Sequence, residues 1–141
     1  MSIVIERILA VTEKGVRATV LHGQEMLDVE VAAPNERATA TLGESLNVEV
    51  GFAEVVAWRI LETDDPMRHG FFQAGPASVR IVGKVHGITQ VDDATSLFDL
   101  YSQAGPEFVS FETKDVHGAP PVVGDGVEAV VSGLCFYPTS T

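Results

Sequence analysis

The chain carries one pattern of apolar residues, glycines and acids twice, roughly eighty residues apart. The first copy runs Val4–Val11, Val16–His22 and Leu27–Val31, then Leu42-Gly43-Glu44 into Leu46-Asn47-Val48-Glu49-Val50. The second runs Ile81–Val91, Leu97–Ser102 and Phe108–Glu112, then Val123-Gly124-Asp125 into Val127-Glu128-Ala129-Val130-Val131. Units this small do not bury an apolar face alone, so the two should pack together or form twin barrels. This divides the chain into a β unit over 1–61, a connection over 62–77 and a second β unit over 78–141.

Strand signals dominate each copy. In Leu27-Asp28-Val29-Glu30-Val31 and Leu46-Asn47-Val48-Glu49-Val50 apolar and polar residues alternate, which is the period of a sheet with one wet face. That period places Asp28, Glu30, Asn47 and Glu49 toward solvent. His22-Gly23-Gln24-Glu25 reads as a hairpin turn, with glycine supplying a positive φ. Val55–Leu61 is a further strand favoured by its β-branched residues. Val127–Tyr137 reads as one long final strand in which Gly133 marks a bulge or bend.

Two stretches are less regular. Residues 62–77 hold two prolines, two glycines and the pair Asp64-Asp65, and read as an irregular connection or a functional loop. Residues 93–104 open on Asp93 and are followed by Gly105-Pro106, the signature of a short helix. Set against the first copy, the same residues become a strand and a turn at Gln103-Ala104-Gly105-Pro106. The hairpin is the preferred reading, because Phe108, Ser110 and Glu112 then fall in step with Leu27, Val29 and Val31.

Four or five short strands per copy, joined by glycine-rich turns, resemble a small closed or half-closed barrel of the OB type. The fold expected is therefore all-β: two related OB-like barrels, or one sandwich of two repeat halves. Fold alone does not assign function.

Composition narrows the partners. Net charge is −11, with 12 acids against 6 bases in residues 1–70 and 8 against 3 in residues 71–141. A negative field spread over both halves repels phosphate backbones and anionic membranes and favours cationic partners. Nucleic acid and membranes are thus disfavoured, and the aromatics fall inside apolar strand patterns rather than in a basic groove. The single cysteine, Cys135, lies in the apolar run Leu134-Cys135-Phe136-Tyr137, as a buried thiol would. No disulfide pairing exists within the chain, and a reducing cytoplasm suits it.

Chemistry-bearing constellations are few. All four histidines precede glycine: His22-Gly23, His69-Gly70, His86-Gly87 and His117-Gly118. Turns and bulges explain such pairs. The alternative is a metal or acid–base site drawing on His69, His86 and His117 with Asp64 or Asp65. Asp64-Asp65-Pro66-Met67-Arg68-His69 is also an ordinary turn opener. No nucleophile motif or phosphate-cradling glycine loop occurs.

The expected function is that of a non-catalytic cytoplasmic binding module whose acidic surface meets a basic protein, as an inhibitor or antidote would. Asp28, Glu30, Glu49, Asp64, Asp65, Phe71 and Phe72 are its candidate contacts. No cofactor is expected. Edge strands of small barrels also offer a route to a homodimer.

Overall fold

A computed structural model describes residues 1–32, 42–62, 68–102 and 105–139, with only the backbone described at 102 and over 105–108. The chain folds as β1 (Ser2–Val11), β2 (Gly15–His22), β3 (Glu25–Ala32), β4 (Ser45–Gly51), β5 (Glu54–Ile60), β6 (Gly70–Gly75), β7 (Ser78–Gln90), β8 (Ser96–Ser102), β9 (Gly105–Glu112), β10 (Gly126–Ser132) and β11 (Cys135–Pro138). The molecule is all-β. Residues 96–102 are the strand β8, antiparallel to β9, and no helix forms over 93–102, the described part of the expected helix. The acid just before that stretch serves a turn: Asp92 Oδ1 accepts from Ala94 N at 2.9 Å.

Five strands close a barrel in the order β1-β2-β3-β11-β4, with β4 returning to β1. The other sheet runs β5-β10-β7-β8-β9, with β6 added to β7, and curls as a half-barrel. The two orders correspond strand for strand. In each, three antiparallel strands lead to a fourth that pairs back onto the first: β4 on β1, and β10 on β7. A fifth strand lies antiparallel beside the fourth, β11 on β4 and β5 on β10.

The fifth strands are exchanged. β5 directly follows β4 in sequence yet joins the second sheet, while β11 follows β10 and closes the first barrel. There Cys135 and Phe136 run parallel to Glu30 and Val31 of β3.

The exchange is made where two short connectors cross. One is Phe52-Ala53, between β4 and β5; the other is Gly133-Leu134, between β10 and β11. Ala53 N donates to Ser132 O at 2.9 Å. A Cβ on Gly133 would lie 2.8 Å from the Ala53 Cβ, and Gly133 has φ +65°. Only glycine meets both conditions without strain. Val127–Tyr137 is therefore two strands in two sheets, because the chain turns at Gly133.

Alternation sets the core. Val16, Ala18, Val20 and His22 of β2 face inward, as do Leu27, Val29 and Val31 of β3. In β9 the inward residues are Val109 and Phe111, one position away from the set Phe108, Ser110 and Glu112. A one-residue change of register exchanges the faces of a strand. Phe111 then meets Phe52 at 5.1 Å and Trp58 at 5.3 Å between ring centroids, so aromatic rings pack across the side where β5 faces β9.

A single apolar cluster runs through both sheets, and β6 fastens them. Phe71 of β6 is 3% exposed, with its ring 5.1 Å from His22 and 6.3 Å from Phe136. Burying a phenylalanine contributes about 1.5–3 kcal/mol. Polar links accompany it: Asp28 N donates to Gln73 Oε1 at 2.9 Å, and Arg17 Nη2 donates to Pro76 O at 2.7 Å. Among the described residues no helix is long and apolar enough to cross a membrane.

Candidate functional site

Two surfaces gather polar side chains. The first surrounds β11 on the outside of the closed barrel. Register sets Glu30 of β3 opposite Cys135, and Glu49 of β4 opposite Tyr137. Alternation along β3 puts Asp28 on the same outer face as Glu30. Asp28 accepts from Thr19 Oγ1 at 2.6 Å, which fixes its carboxylate in place. Tyr137, 41% exposed, stands between the two glutamates, and its ring covers Gly51, which has no side chain to block it. Beside it lies a hollow of about 360 Å³ lined by Lys14, Ala32, Tyr137 and Pro138.

Cys135 is sealed beneath this face. Burial pushes its thiol above the ordinary range, partly offset by a hydrogen bond with Tyr137, while the Glu30 charge raises it further. Its neighbour in turn raises the Tyr137 phenol. A buried, protonated thiol is a poor nucleophile. Its place is packing.

The second surface is a cleft at the bend of β7. Lys84 pairs with Tyr101 of β8 and Val85 with Leu100, and the next pair is Gly87 with Asp99. His86 is thus the extra residue of a bulge, which re-aims a side chain. Its ring stacks on Tyr101, with centroids 4.1 Å apart and planes inclined by 12°. The loop before β10 is tied to the same bend: Gly124 N donates to Val85 O at 2.9 Å, and Val85 N donates to Asp125 O at 2.8 Å. His69, Lys84, His86, Tyr101, Val123 and Gly124 enclose about 610 Å³ of open cleft.

Some of the cations on the surface are paired and some are not. Arg59 and Arg80 share Glu128 at 3.1 and 3.4 Å, Arg68 pairs with Glu25, and Lys114 pairs with Glu112 at 3.3 Å. Lys84 has no carboxylate partner among the described residues. His69 is held below its ordinary pKa, first by burial and then by the Lys84 charge. Its Nδ1 is shut off from solvent and has no hydrogen-bond partner among the described residues.

No protein-family model, curated protein or solved structure matches the chain.

Of the candidate contacts, the structure brings Asp28, Glu30 and Glu49 onto one face. Phe71 is buried and packs the two sheets together. Phe72 lies half-buried between two guanidinium groups, Arg80 at 4.9 Å and Arg68 at 5.5 Å from its ring centre. Asp64, Asp65, Pro66 and Met67 lie outside the described residues, as do Gln103 and Ala104 of the expected turn. Of the histidine set, His69 and His86 share the cleft, whereas His117 is exposed on the loop after β9 and does not line it. No group of three or more His, Cys, Asp or Glu side chains placed to hold a metal occurs among the described residues.

The glycines after histidine have backbone reasons. Gly23, Gly70 and Gly118 adopt φ of +60°, +142° and +98°, and Gly87 closes the β7 bulge. Nothing local in the sequence marks Lys84, Tyr101, Lys14 or Tyr137 as site residues. The one available signal was His86-Gly87 inside a strand pattern, which marks a bulge.

Proposed function

We propose that the protein is a non-catalytic binding module that docks a basic protein segment on the outer face of its closed barrel. The observation that carries this reading is the placement of Glu30 and Glu49 on either side of β11, with exposed Tyr137 between them and an apolar hollow beside it. Interfaces concentrate affinity in a few aromatic anchors set in pockets, and charges at the rim steer the partner. Here the aromatic lies at the centre and the acids at its edges. A lysine- and arginine-rich segment with one apolar side chain fits both parts, the apolar group in the hollow and the cations toward Asp28, Glu30 and Glu49. A cytoplasmic setting belongs to the same proposal, since it keeps Cys135 reduced.

Charge reversal tests it. A fluorescently labelled basic peptide with a central leucine is titrated against wild type, a Glu30→Lys/Glu49→Lys variant and an Asp92→Lys/Asp93→Lys control of equal net charge. Loss of about tenfold in affinity, the equivalent of 1.4 kcal/mol, is expected for the first variant alone. Equal losses in both variants would reduce the effect to overall charge and overturn the proposal.

A further inference from the structure

We propose that the cleft at the β7 bend is a separate binding site for a small planar anion, an aromatic or heteroaromatic ring carrying a carboxylate or phosphate. Three features converge there. Lys84 projects a cation with no carboxylate partner among the described residues, in a chain whose net charge is −11. Arg59, Arg68, Arg80 and Lys114 are each answered by a glutamate; Arg7, Lys14 and Arg17 also have no carboxylate partner among the described residues, but of these cations only Lys84 lines this cleft. A cation left without such a partner, beside a concavity, favours an acid group from outside.

His69 supplies the second feature. With Nδ1 shut off from solvent and without a partner among the described residues, a proton there would be a buried donor without an acceptor, which costs about 1–3 kcal/mol. The neutral tautomer with its proton on Nε2 leaves Nδ1 a buried acceptor instead and keeps the N–H on the nitrogen that is not buried without a partner. His69 is then a hydrogen-bond donor that carries no charge, next to the Lys84 ammonium. An ammonium and a neutral N–H together suit an oxyanion better than they suit a metal ion.

The third feature is flat. His86 and Tyr101 form a nearly parallel stack with ring centroids 4.1 Å apart, and the outer imidazole is exposed. The β7 bulge holds it there, and Val123 supplies an apolar wall. An aromatic ring laid on such a stack gains about 0.5–1.5 kcal/mol beyond its buried area. The volume of about 610 Å³ is in the range that takes a small ligand. The site stands apart from the acidic face, since Lys84 and His86 belong to the second sheet while Glu30 and Glu49 belong to the closed barrel.

Calorimetric titration with 2-naphthoate, its neutral analogue 2-naphthalenemethanol and inorganic phosphate tests the proposal. Saturable binding of naphthoate is expected, with the alcohol and phosphate each about tenfold weaker, because a charge-assisted hydrogen bond contributes about 1.5–3 kcal/mol. Lys84→Met, which keeps the aliphatic stem, should lose about tenfold, and His86→Ala should lose several-fold. Lys114→Met, which removes a cation already paired with Glu112, should bind as wild type does. Lys84, His86 and Lys114 are all exposed, and circular dichroism with a thermal melt verifies that each variant folds. No saturable naphthoate binding, equal affinity for acid and alcohol, phosphate binding as tight as naphthoate, or a Lys84→Met variant that binds like wild type would each overturn it.

Discussion

Lys84 and His69 show how one side chain sets the state of another. Two causes lower the pKa of His69, its burial and the neighbouring ammonium, and burial is the larger. An unfolded histidine titrates near 6.5. The folded imidazole gives up its proton below that, so near that pH the unfolded chain binds more protons than the native one. The resulting stability is fully present above pH ~6.5 and is lost as pH falls through the folded value. Lys84→Met removes the second cause alone. The His69 Cε1–H resonance should therefore titrate closer to the ordinary value in the variant while staying below it. A wild-type midpoint at or above 6.5, or one unmoved by the substitution, would refute the described coupling.

The buried imidazole of His22 was within reach of the same residue-level reading. Val16, Ala18, Val20 and His22 keep a strict period of two, and the structure turns all four inward. The turn signal of Gly23 sits beside that period and competes with it. The cleft was not legible in this way. It depends on a bulge that adds one residue to β7 and on a hairpin that sets Tyr101 opposite Lys84, and neither contact is local in sequence.

At the scale of elements, most strands follow from alternation and turn chemistry, and two outcomes do not. The inward set of β9 is displaced by one residue, because Val109 and Phe111 pack against residues far away in the chain, Phe111 on Phe52 and Trp58. The split between β10 and β11 is the other. Gly133 announced a bend, but nothing local tells a bend within one sheet from a crossing into another. The crossing makes a prediction about that glycine. Holding a non-glycine residue in the left-handed region costs about 1–3 kcal/mol, and an alanine at 133 also presses on the Ala53 methyl. Gly133→Ala should lower the stability measured by urea unfolding by about 2 kcal/mol or more. Adding Ala53→Gly should restore only the part due to the contact. A Gly133→Ala protein as stable as wild type would mean that the connectors do not cross as described.

Taken whole, the molecule is a closed barrel and a half-barrel of the same strand order that do not each keep their own fifth strand. β5 completes the sheet begun by β7, and β11 closes the barrel begun by β1. With a shared core and Phe71 set between the sheets, neither half is complete alone, and the acidic face exists only because β11 arrives from the far end of the chain between β3 and β4. Cross-strand nuclear Overhauser contacts in isotope-labelled protein report the strand exchange directly. Contacts of Cys135 and Phe136 with Glu30 and Val31, together with contacts of Trp58 with Ala129, are expected. Contacts placing Glu54–Ile60 beside β3 and β4, each barrel keeping its own last strand, would contradict it.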